Sequence, residues 1–69
     1  MAIHVQHTYC THVDIIYTAA DGAKLNEAAV GSMDELLENV CDVLVHHNFN
    51  HADVCDASTG EILMMVDRT

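Results

Sequence analysis

Residues 31–47 read GSMDELLENVCDVLVHH, and this stretch decides the fold. Met33, Leu36, Leu37, Val40, Cys41 and Leu44 recur at steps of three and four, so they gather on one side of an α-helix. Ser32 followed three residues later by Glu35 is a capping box. The Ser32 hydroxyl can accept from the Glu35 amide while the Glu35 side chain reaches back. Gly31 supplies the break in front of it. The spacing predicts a helix from Met33 to about His47, ending in Asn48-Phe49-Asn50, with Cys41 as a small core residue on its apolar stripe.

On both sides of the helix the period changes from helical to two. Residues 12–19 set Val13, Ile15, Tyr17 and Ala19 against His12, Asp14 and Thr18. Residues 2–9 do much the same, with Ile3, Val5 and Tyr9 opposed to His4, Gln6 and Thr8. Both read as half-buried strand. Cys10-Thr11 between them offers no Gly, Pro or Asn, so a tight hairpin and one long bent strand both fit. Asp21-Gly22 is a better turn signal, because Gly tolerates the positive φ of short hairpin turns, and residues 24–30 would return as a strand. Beyond the helix, residues 52–57 and 61–67 flank Ser58-Thr59-Gly60, a turn, with Val54, Ile62, Met64 and Val66 pointing inward. The expected fold is α+β: one domain over residues 1–69, a small antiparallel sheet of four or so strands, and one helix packed across a face, in ββ-α-ββ order.

Charge is the dominant compositional signal. Eleven carboxylates stand against Lys24 and Arg68, a formal net charge of −9 on 69 residues. Such a field repels nucleic acids and anionic membranes and attracts basic proteins. Asp34, Glu38 and Asp42 fall at i, i+4 and i+8, forming a ridge on the solvent side of the helix, with Glu35 beside it. Like charges at this spacing cost about 0.2–0.5 kcal/mol per pair. A ridge that serves only as a solvated face and a ridge that binds a basic groove are both consistent with that pattern. In a groove built for nucleic acid, carboxylates can stand in for phosphates as acceptors for Lys and Arg. The remaining acids, Asp14, Asp21, Glu27, Asp53, Asp56, Glu61 and Asp67, are spread over the chain.

Six histidines are the second oddity, with His4, His7 and His12 near Cys10, and His46, His47 and His51 near Cys55. Zinc uses both residue types, but neither C-x-x-C nor H-E-x-x-H occurs, and no metal or cofactor is expected. Protonating all six would take the charge from −9 to −3. Cys10, Cys41 and Cys55 form no close pair, and neither Cys10 nor Cys55 has a cationic neighbour to activate its thiol. No catalytic residue is assigned, and an enzyme is not expected. With no leader-like or spanning stretch, the chain is expected in the cytoplasm with reduced thiols.

The small size, strong acidity and strand–helix–strand order together resemble the profile of phage-encoded inhibitors, in particular anti-CRISPR proteins. The resemblance is one of profile over the whole chain. It implies an inhibitor that blocks an effector complex by direct contact, as several members do by occupying basic nucleic-acid channels, inside a host bacterial cell. The expected function is therefore a non-enzymatic acidic binding module on a basic surface of a larger, nucleic-acid-handling complex. The contacts would come from Asp34, Glu35, Glu38 and Asp42, then from Asp53, Asp56 and Glu61 in the second hairpin. Direct nucleic-acid and membrane partners are not expected. The alternatives are a His/Cys metal-binding or pH-sensing module, or a homo-oligomeric subunit, such as a homodimer, burying strand edges with Ile16, Leu63 and Met65.

Overall fold

The alternation expected in residues 12–19 is realised as a strand with every second side chain buried. The computed structural model describes residues 11–68. It contains β1 (Thr11–Ala19), β2 (Lys24–Gly31), α1 (Met33–His46), β3 (Phe49–Asp56) and β4 (Ile62–Asp67). The strand reading of residues 2–9 lies outside the described residues.

All pairings are antiparallel, and the spatial order of the sheet is β2-β1-β3-β4. The chain therefore leaves edge strand β2, crosses the sheet as α1, and returns as β3 on the far side of β1. Two hairpins result, joined by the helix and zipped together along β1 and β3. The first hairpin turns where Gly22 takes φ +91°, and Asp21 Oδ1 accepts from the Ala23 amide at 2.9 Å. The second turns at Gly60, φ +79°, which is free of the steric cost a side chain would meet there.

One face of the sheet carries the core. Val13, Ile15 and Tyr17 of β1, Ala52 and Val54 of β3, and Leu36, Val40 and Leu44 of α1 are all buried. Each large side chain among them contributes roughly 1.5–3 kcal/mol by leaving water. Leu44→Ala would cost about 2–5 kcal/mol, a large part of the stability of so small a domain. Tyr17, fully buried, stacks on Phe49 with ring centroids 5.2 Å apart. That contact draws β3 back to Phe49, three residues earlier than the sequence reading began it.

Two expectations need correction. Cys41 is exposed, because the buried stripe is the narrow row Leu36, Val40 and Leu44, and Cys41 sits a further 100° round from Val40. Ile62 does not point inward and is 53% exposed. The register shifts between Val54 and Cys55, so Ile62 pairs with Cys55 on the uncovered face instead of following Met64 into the core. The helix ends as expected, at His46 with His47 as its cap, and Asn48 takes the left-handed conformation, φ +62°, that turns the chain into β3.

Candidate partner-binding surface

Ser32 begins α1 with the capping box: its Oγ accepts from the Glu35 amide at 3.3 Å, and Glu35 Oε1 accepts from the Ser32 amide at 3.1 Å and its hydroxyl at 3.2 Å. Those bonds hold Glu35 at the helix start, where its charge also meets the positive end of the helix dipole. Asp34 shares that first turn and its dipole, but with Glu38 and Asp42 it faces solvent. All three are exposed and lie on the side of α1 opposite Leu36, Val40 and Leu44. They step along the helix at about 6 Å per pair. Among the described residues both ion pairs belong to His51, so no cation compensates this ridge. Arg68 is engaged elsewhere: its Nη1 donates to the Leu44 carbonyl at 3.3 Å and to Asn48 Oδ1 at 3.0 Å, closing the helix C-terminus. Lys24 opens β2, a strand away from the ridge.

The second hairpin treats its carboxylates otherwise. Asp56 Oδ1 accepts from the amides of Ser58 at 2.7 Å and Thr59 at 3.2 Å, building the turn. Asp53 lies between buried Ala52 and Val54, so it faces away from the helix, onto the uncovered side of the sheet. There His51 is clamped, with Nε2 2.7 Å from Asp53 Oδ1 and Nδ1 2.5 Å from Asp67 Oδ1. Two carboxylates facing two ring nitrogens require both nitrogens to donate, which is the imidazolium. Its pKa is raised, first by the bond to Asp67 and then by that to Asp53. Glu61 is exposed at the foot of β4 and is engaged through its backbone, its carbonyl accepting from the Asp56 amide at 2.8 Å and its amide donating to Thr59 Oγ1 at 3.2 Å.

The seven expected contact residues thus divide. Asp34, Glu38 and Asp42 form one ridge, with Glu61 apart at the hairpin end, while Glu35, Asp53 and Asp56 hold local structure. The sequence reading did not see the role of His51, because Asp67 is sixteen positions away and only the strand register joins them.

His46 Nδ1 lies 2.9 Å from the Asp42 carbonyl, and among the described residues no group of three His, Cys, Asp or Glu side chains is placed to hold a metal ion. His4 and His7 lie outside those residues. Among the described residues Tyr17 Oη meets no acceptor at full hydrogen-bond geometry, and burial, with the nearby Glu27 carboxylate adding to it, pushes its phenol up to about 12. No helix among the described residues is long and apolar enough to cross a membrane. Compared with known proteins, the chain matches no family model, no curated protein and no solved structure.

Proposed function

We propose that this protein is a non-enzymatic acidic binding module that inhibits a larger nucleic-acid-handling complex by occupying one of its basic surfaces, as phage anti-CRISPR proteins do. The observation that carries the reading is the row Asp34, Glu38 and Asp42, exposed on α1 opposite the core and uncompensated by any cation among the described residues. A helix shaped only for stability gains nothing from three like charges four apart. A basic groove gains three charge-assisted contacts from them, on a rigid rod that needs no ordering on binding. The same field keeps nucleic acid itself away. The compartment that brings such a partner within reach is the cytoplasm of a host bacterium.

The test is a pull-down from bacterial lysate at about 150 mM salt, where attraction beyond roughly 8 Å is screened. Wild-type protein is compared with the variant carrying Asp34→Ala, Glu38→Ala and Asp42→Ala. Retention of a nucleic-acid-handling complex by the wild type, and its loss in the folded variant, supports the reading. A variant that binds and inhibits as well as wild type overturns it.

A pH-sensing module is the second reading, favoured by one observation, the clamp of His51 between Asp53 and Asp67. It requires that binding change with the state of His51, so a His51→Gln protein whose binding keeps the wild-type pH profile excludes it.

A further inference from the structure

α1 covers only part of the sheet. A helix about 10–12 Å across spans roughly two inter-strand spacings of about 4.8 Å. α1 comes closest to β2 and β3, the strands that flank β1, and among the described residues it leaves β4 uncovered. Met64 and Val66, on the helix-facing side of β4, are only partly buried. α1 runs from the Gly31 end of the sheet to the Phe49 end, and β4 runs the same way, from Ile62 beside Cys55 to Asp67 beside His51. A groove follows, with β4 as its floor and α1 as its wall.

The wall is apolar. Leu37, Cys41 and Val45 recur at i, i+4 and i+8 next to the buried row. Leu37 is 40% and Val45 63% exposed, and Cys41 is exposed as well. This row looks toward β4: a cleft of about 230 Å³ is lined by Cys41, Leu44, Val45, Val66, Asp67 and Arg68. Arg68, tied to the Leu44 carbonyl and to Asn48 Oδ1, closes that end. A contiguous apolar surface of this kind on a small acidic protein marks an interaction site.

Charge selects the occupant. Asp34, Glu38 and Asp42 stand three residues before Leu37, Cys41 and Val45, so each acid is the surface neighbour of one apolar side chain. The ridge is thus the rim of the groove. A second copy would bring a charge of −9 against −9, its own ridge included. A helix that is apolar on one side and basic on the other satisfies both halves, with Lys and Arg stems lying over the wall and their charges on the rim. Its axis would run about 8–10 Å from that of α1, above β3 and β4.

We propose that the groove between α1 and β4 receives a basic amphipathic helix of the partner, whose apolar side chains cover Leu37, Cys41 and Val45 while its cations reach Asp34, Glu38 and Asp42. This docking rests on the ridge as the partner contact, and adds to it the partner's helical form and its apolar half.

The probe is a synthetic peptide about three turns long, with Leu at i, i+3, i+4 and i+7 and Lys on the other face. A shuffled peptide of the same composition, its Leu spread all round, is the control. Fluorescence anisotropy with the full chain at about 150 mM salt should show the amphipathic peptide binding about tenfold tighter than the shuffled one. Leu37→Gln with Val45→Gln, which keeps the net charge and suits a helix, should abolish that margin. Val45→Gln alone replaces the pair should circular dichroism show it unfolded. The amphipathic peptide should also slow iodoacetamide alkylation of Cys41 and leave Cys55, on the other face of the sheet, at its free rate. Equal affinity of the two peptides, or a margin that survives in the Gln variants, overturns the groove while the ridge reading stands. A variant with Asp34, Glu38 and Asp42 all replaced by Ala that binds both peptides like wild type overturns the ridge reading and this docking with it. A wild type that light scattering finds dimeric, and that the Gln substitutions make monomeric, gives the groove to a second copy and also overturns the proposal.

Discussion

The outer face of α1 and the β3–β4 hairpin each contribute acids to the same field, yet their carboxylates live in opposite circumstances. On α1, Asp34, Glu38 and Asp42 stand in a row without a partner among the described residues. On the hairpin, Asp53 and Asp67 hold His51 between them, and Asp56 holds the turn. The difference comes from what each backbone offers. A helix past its first turn has its amides already bonded, so the outward carboxylates of Glu38 and Asp42 find only water, and Asp34, in the first turn, gains the helix dipole but no side-chain partner among the described residues. A hairpin exposes free amides at its turn and sets side chains of neighbouring strands a few ångströms apart, so its carboxylates find donors. Acids of the first kind are available to a partner, and acids of the second kind are structural.

The comparison breaks most visibly on the ridge. Replacing Asp34, Glu38 and Asp42 together with Ala should weaken binding to the basic partner roughly 100-fold, from three contacts of about 1 kcal/mol each. Thermal stability should stay about level, the relief of like-charge repulsion offsetting the lost dipole interaction of Asp34. Calorimetric titration and melting curves on the same samples read both. The hairpin should behave inversely. Asp56→Ala is expected to cost about 1–2 kcal/mol by denaturant unfolding, having lost the acceptor of two turn amides, while binding changes less than twofold. If Asp56→Ala abolished binding with stability intact, the division into free and structural acids would be wrong.

Proton titration sharpens the contrast at smaller scale. Binding through the ridge should weaken as pH falls from about 8 to about 5.5, because histidines gain charge and shrink the negative field. A flat profile would remove electrostatics from recognition. The His51 clamp runs the other way. Its folded-state pKa lies above the ordinary 6.5, so its contribution is complete below that value and disappears as pH rises through the raised one. Subtracting the melting profile of His51→Gln from that of wild type should reveal a difference of roughly 0.5 kcal/mol that vanishes at alkaline pH. A difference that grows with pH would mean that His51 is held neutral.

Much of the architecture is legible in the sequence, for local reasons. The α1 cap, the β1 alternation and the Gly22 and Gly60 turns are each set by residues within a few positions of one another. The features that sequence could not supply are long-range. Placing β1 beside β3 depends on the helix crossing the sheet, and moving Ile62 off the core depends on a register shift against Cys55. The start of β3 depends on Phe49 finding Tyr17. The candidate surface divides in the same way. Glu35 is recognisable as a cap from Ser32 three residues earlier, whereas the engagement of Asp53 appears only once His51 and Asp67 meet across strands.

The buried phenol of Tyr17 gives the molecule an alkaline limit of its own. Exposed by unfolding, it releases its proton near 10; folded, it keeps it until about 12. Between those values the unfolded chain binds fewer protons than the native one, so each further unit of pH favours unfolding by up to about 1.4 kcal/mol. That hydroxyl thereby becomes a fuse: a tyrosinate formed at Tyr17 in that window records a molecule whose core has opened. Tyr17→Phe, which keeps the ring and removes the proton, should leave a protein that withstands base better than its parent.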